Sequence, residues 1–168
     1  MRHQFRAEWD KTVKVITFGV IALIVGLSVF FLLLALAESE AGLSLAIVLP
    51  PLVLIVSTLF MIRGYVVTES QLIIPRLLWS NKFELSDLTE VTVEPHAMAK
   101  SIRMMGSGGF FGFFGRFRNQ ELGNYQAFVT DRSRSVVLKF GSKTIVVSPH
   151  DPHDFVDKVN RAREGELV

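Results

Sequence analysis

Ten consecutive residues, Gly106 to Gly115, hold five glycines and four phenylalanines. Glycine-rich runs cradle phosphates when their backbone N–H groups converge on an anion. This run fails both phosphate-loop spacings. Counting from Gly106 and Gly108, the third glycine position of G-x-G-x-x-G holds Phe111, and no Lys-Ser or Lys-Thr follows. A second cluster, His150-Asp151-Pro152-His153-Asp154, has two imidazoles three apart among carboxylates, a spacing that could ligate zinc. The same residues also read as a helix entry, with Asp151 as N-cap, Pro152 in the first turn and Asp154 facing the helix dipole. No third histidine stands nearby, so no metal is expected. Cysteine is absent, which excludes disulfides, thiolate metal sites and thiol nucleophiles. No Ser-His-Asp order or carboxylate pair stands out. The expectation is a chain that is not an enzyme and needs no cofactor.

Two readings of the glycine–phenylalanine run remain. The glycines could permit sharp turns while the phenylalanines pack inside the fold. Alternatively, Phe110, Phe111, Phe113 and Phe114 form an apolar wedge flanked by Arg103, Arg116 and Arg118. That surface would suit a lipid headgroup boundary or a protein partner.

The rest of the chain must position that run. Apolar residues make up 49% of the 168 residues and charged residues 20%, but unevenly. Between Lys14 and Arg63 the only ionisable side chains are Glu38 and Glu40. Residues 15–37 would make a helix of about 34 Å and residues 43–62 one of about 30 Å, each enough for a hydrocarbon core of about 30 Å. The short link between them predicts a transmembrane helical hairpin over residues 15–63. Ala35-Leu36-Ala37 has the small-x-small form of a signal cleavage site, but the apolar run is too long for one. Arg2, Arg6, Lys11 and Lys14 precede the first span, and Arg63, Arg76 and Lys82 follow the second, whereas the link has no Lys or Arg. The positive-inside rule then puts both termini in the cytoplasm, at an inner (plasma) membrane. Gly19, Ala22 and Gly26 share one face of the first span, a close-packing face for the second span or for another copy. Pro50-Pro51 predicts a kink. Phe5 and Trp9, four apart among basic residues, suggest that residues 1–14 form a short interfacial helix.

From residue 64 to 168 the period changes to that of strands. Runs at 65–68, 72–75, 83–85, 88–94, 101–105, 124–130, 136–140 and 144–148 alternate or are β-branched, separated by turn residues such as Glu69-Ser70-Gln71 and Trp79-Ser80-Asn81-Lys82. Short strands at even spacing predict a small antiparallel barrel or sandwich. Phe155, Val156, Val159 and Ala162 give a closing amphipathic helix that Gly165 stops.

Three pieces resemble a known family. They are Tyr65-Val66-Val67-Thr68 with Leu72-Ile73-Ile74, the run from Gly106 to Phe117 with Gly123-Asn124-Tyr125, and Val146-Val147-Ser148-Pro149 with Asp151-Pro152 and Phe155. Together they resemble the membrane-anchored bacterial pleckstrin-homology (PH) proteins. The resemblance implies a mainly-β PH-like barrel over residues 64–168, capped by one C-terminal helix and fixed to a two-helix anchor. It implies binding rather than catalysis. Eukaryotic PH domains that bind phosphoinositides carry Lys and Arg around the first hairpin. Here the turn is the acidic Glu69-Ser70-Gln71, and Phe155 stands where those relatives usually have Trp. From Gly64 onward there are 13 Lys and Arg against 12 Asp and Glu, too balanced for an electrostatic lipid clamp. The isoelectric point near 9.1 comes largely from the span-flanking residues, so no nucleic-acid partner is expected. The expected partners are the bilayer and a protein or a second copy. The expected role is a membrane-anchored binding module or, alternatively, an accessory subunit of a membrane complex.

Overall fold

A computed structural model describes residues 2–38, 44–141 and 143–165. The expected link between the helices lies largely outside the described residues. The order of elements is β1 (Arg2–Arg6), α1 (Lys11–Glu38), α2 (Ser44–Thr58), β2 (Gly64–Thr68), β3 (Gln71–Pro75), β4 (Ser80–Glu84), β5 (Leu88–Val93), β6 (Ile102–Gly108), β7 (Phe113–Asn119), β8 (Gly123–Val129), β9 (Val136–Phe140), β10 (Lys143–Val147) and α3 (Pro152–Arg163). The strands form two sheets, ordered β1-β2-β3-β4 and β5-β9-β10-β8-β7-β6, rather than one closed barrel. A single 3₁₀ turn, Leu85–Asp87, carries the chain from one sheet to the other.

The N-terminus is not an interfacial helix. Arg2–Arg6 is a strand antiparallel to β2, with Phe5 opposite Tyr65 and Arg6 opposite Gly64. Alternation explains this: His3 and Phe5 turn inward while Arg2, Gln4 and Arg6 face out. Phe5 meets the Phe155 ring of α3 edge-on at 5.2 Å. One sheet therefore joins residues that precede both apolar helices to residues that follow them.

Helix α1 begins four residues earlier than the uncharged run. Asp10 starts it, its carboxylate accepting the Val13 N–H at 2.6 Å. Val13 and Thr17 are fully covered, so the first two turns belong to the folded domain. Residues 11–36 are long and apolar enough to cross a membrane. Helix α2 runs 15 residues and continues through Pro50 and Pro51. It is therefore shorter than the 43–62 expected, and about 22 Å long. It then tightens: Leu59, Phe60 and Met61 donate to Val56, Ser57 and Thr58, three residues back. Ile62 leaves the helical path altogether and is buried in the domain core.

The middle of the larger sheet is covered on both faces, which is why β9 and β10 read as continuous apolar runs. Toward the smaller sheet and α3, Phe128, Val136, Leu138, Phe140, Ile145 and Val147 pack against Tyr65, Val67, Leu72, Ile74 and Phe155. On the opposite face, Phe113, Phe117, Tyr125, Ala127, Val129, Val137 and Val146 form a second cluster under Val13, Trp9, Ala97 and Met98. Strands β8 and β10 are parallel, because β9 is reached by crossing over the slot that β10 then fills.

Tyr65 ties the two sheets together. Its hydroxyl donates to the Phe128 carbonyl at 2.6 Å and accepts the Ser148 N–H at 3.1 Å. Ser148 Oγ in turn accepts the N–H groups of Thr130 at 2.8 Å and Asp131 at 3.1 Å. Burial pushes the phenol up to about 12 from 10.0. Since the folded value lies above the unfolded one, the neutral phenol's contribution is complete below about pH 10 and is lost as pH rises toward 12. Tyr65→Phe should lower the unfolding free energy near neutrality by about 1–3 kcal/mol, because buried partners lose their bonds. The gap between wild type and variant should narrow above pH 10. Denaturant titration in micelles at neutral and alkaline pH measures both, and a pH-independent gap would contradict this role.

Candidate functional site

The glycine–phenylalanine run is a β-hairpin, β6–β7, whose second strand the sequence pattern had not revealed. Its bend, residues 109–112, is closed by the Gly109 N–H to the Gly112 carbonyl at 3.1 Å. Gly106 lies opposite Gly115 in the ladder. A Cβ on Gly106 would sit 2.9 Å from the Gly115 Cα and closer still to the Phe114 carbonyl, at a φ of 108°. Gly106 and Gly115 therefore let the two paired backbones approach at close range.

The phenylalanines divide by face. Phe111 and Phe113 are buried, as is Phe117 two turns of the pleat further on. Phe110 and Phe114 are half-buried, and Arg103, Arg116 and Arg118 are exposed. Phe111 adopts a left-handed backbone, φ 57°, uncommon for a bulky residue. Three contacts hold it there. Its N–H donates to Thr17 Oγ1 at 3.0 Å, its ring meets Trp9 at 5.9 Å, and Phe110 lies against it at 4.4 Å. Ile16 crowds the space where a Gly109 side chain would go, 2.5 Å from a Cβ there. The hairpin tip thus grips the base of α1.

Phe114, on the other face, grips the exit of α2. Its ring stacks on Phe60 at 6.1 Å, with 6° between planes. The buried Arg76 completes this joint. Its guanidinium donates to the Phe60 carbonyl and to Asn81 Oδ1, and lies 5.1 Å from the Phe114 ring and 5.4 Å from that of Phe128. Burial lowers its pKa, while the surrounding ring faces stabilise the cation. Sequence reasoning had counted Arg76 only as a flanking charge. Ser57, Phe60, Arg103, Gly106, Ser107, Phe110 and Phe114 line a shallow groove beside the α2 exit.

The remaining predicted residues fall elsewhere. Gly19, Ala22 and Gly26 lie on an exposed face of α1, and a Cβ on either glycine would meet nothing within 4 Å. The His150–Asp154 segment is a helix entry: Asp151 accepts the Asp154 N–H at 3.1 Å, and His150 Nδ1 lies 3.0 Å from Glu8. No group of three metal-ligating side chains occurs among the described residues.

The strand β6 forms one end of the larger sheet, so one side of its backbone is unpaired. Ile102, Met104 and Met105 are 62–69% exposed along it.

The family model for the bacterial PH domain matches residues 63–163, and the chain belongs to that family. The match starts at the α2 exit and leaves out β1 and both apolar helices. No curated protein and no solved structure matches the chain.

Thr17→Val should strip the Phe111 N–H of its buried partner and cost about 1–3 kcal/mol. Amide exchange at Phe111 should accelerate by about tenfold or more, with Thr17→Ser close to wild type. Equal exchange in Val and Ser variants would show that the hydroxyl does not hold the joint.

Proposed function

We propose that the chain is a non-enzymatic binding module, held at the cytoplasmic face of the plasma membrane by α1 and α2 acting as a transmembrane hairpin. The pairing of β1 with β2 carries this reading. With both strands on one side, a chain that crosses a membrane between them would cross an even number of times, which suits two crossings and no cleavage between them. Both aqueous ends of the pair carry the basic residues, Lys11 and Lys14 on one side and Arg63 on the other. The α2 helix with its tightened end adds about 6 Å, giving nearly 30 Å in all.

A protein strand is the partner that the β6 edge suits. Unpaired main-chain groups supply affinity, and alternate side-chain positions supply selectivity. The basic residues Arg103, Arg116 and Arg118 surround that edge. Phe110 and Arg103 in the groove beside α2 instead suit a lipid headgroup, which is the other contact in this reading. Tethering makes weak contacts sufficient, because the partner meets the module at high local concentration.

One observation favours a second role, as an accessory subunit of a larger membrane complex or a homo-oligomer. The small-residue face Gly19-Ala22-Gly26 is left open by α2 and is available to another span.

The absence of cysteine gives a direct test of sidedness. In Ser86→Cys, an exposed turn position, a membrane-impermeant maleimide should label the protein only after the cells are permeabilised. Labelling of intact cells would put the domain outside and sink the proposal.

A further inference from the structure

The β3–β4 turn exposes three large apolar side chains in a row. Leu77, Leu78 and Trp79 are 48%, 72% and 39% accessible. A soluble hairpin turn rarely carries such a sequence, since polar and glycine residues serve turns better. Its location supplies the reason. Strand β2 starts six residues after α2 ends and runs away from the helix. Strand β3 returns antiparallel to it over about 17 Å. The turn that follows therefore comes back to the level of the α2 exit. The contacts agree: the Arg63 N–H donates to the Pro75 carbonyl at 3.1 Å, and the Trp79 ring meets Phe60 edge-on at 5.1 Å. The Arg76 N–H closes the turn on the Trp79 carbonyl at 2.8 Å.

Resting on the transmembrane reading of α1 and α2, we infer that Leu77, Leu78 and Trp79 insert into the bilayer at the headgroup–acyl boundary. They form a second point of membrane contact beside α2. Trp79 sits where indole rings favour the interface, with Leu77 and Leu78 reaching the acyl chains. Arg76 is engaged with Phe60, Asn81 and the aromatic rings, and the turn adds no other basic residue. The contact is therefore apolar and needs no anionic lipid. The opposite turn, Glu69-Ser70-Gln71, is polar and lies at the far end of the same two strands, so it faces the cytoplasm.

The test uses two single-cysteine variants of the full chain, Leu78→Cys and Ser70→Cys, each carrying a nitroxide in phosphatidylcholine vesicles. Both sites are exposed turns, so neither label should disturb the core. At position 78, collisions with oxygen should exceed those with a water-soluble nickel chelate several-fold, and at position 70 the order should reverse. The same ratio at both positions, while the chain resists alkaline carbonate extraction, would overturn the insertion and leave the anchor standing. Release by carbonate would overturn the anchor, and the insertion with it. The ratio at position 78 should not change when phosphatidylglycerol is added; a strong rise would show that the contact is electrostatic.

Discussion

Gly64–Thr68 can pair with Arg2–Arg6 only if everything between them starts and ends on one side of any barrier it meets. That pairing governs the rest of the structure. It makes the sheet a closure across two apolar helices, so the domain cannot be completed before both helices are in place. Five ladder positions join the strands, from Arg2 opposite Thr68 to Arg6 opposite Gly64. Phe5 then reaches across to Phe155 and fixes the C-terminal helix to the same seam. The Arg6 carbonyl also accepts the His150 N–H at 3.0 Å, so the strand that opens the chain borders the entry to the helix that closes it.

A sheet wrapped in this way needs both faces dry near the helices. The second apolar cluster serves that need, covering the outer face of the larger sheet with Trp9, Val13 and the Ala97–Met98 turn. The hairpin tip is the join between that cluster and α1. Phe111 accepts a strained backbone, of the order of 1–2 kcal/mol, because Thr17 supplies its N–H with a partner and Trp9 covers its ring. Phe114 and Arg76 make the matching join at α2. Two separate joints on two helices resist rotation as well as translation, which one flexible tether could not do. The domain is thereby fixed relative to the bases of both helices.

Much of this was legible in the residues, for identifiable reasons. The strands β9 and β10 are bounded by turn residues, and α3 has its cap, its proline and its apolar stripe. Such local signals survive into the fold. The N-terminal strand was misread because Phe5 and Trp9 fit a helical spacing as well as they fit alternation, and its partner lies some sixty residues away behind two helices. Strand β7 is hidden in the sequence by the glycines of its hairpin, which ordinarily disrupt a strand but here permit the close approach of Gly106 in β6 and Gly115 in β7. Helix α2 ends sooner than its apolar run because Leu59, Phe60 and Met61 tighten into three-residue turns and Ile62 belongs to the domain core. Apolar character alone does not say which dry environment a side chain enters. Gly19, Ala22 and Gly26 are exposed on α1, and their spacing alone does not name the neighbour that would pack there.

A domain fixed by packing rather than by charge behaves differently from one recruited electrostatically. From Gly64 onward 13 basic residues stand against 12 acidic ones, so the part of the domain that follows the helices carries little net charge. Arg103, Arg116 and Arg118 lie along the β6–β7 hairpin, beside an edge strand that presents Ile102, Met104 and Met105. Natural edges usually carry protective charge or a bulge against unwanted pairing. This edge has both, Arg103 and a register shift between Arg103 and Met105, and still keeps its apolar side chains exposed. An edge defended against self-association yet left apolar is suited to a selected partner strand. On the proposed membrane anchoring, a partner strand would be met only within a narrow layer of space, so orientation as well as affinity would enter into its selection.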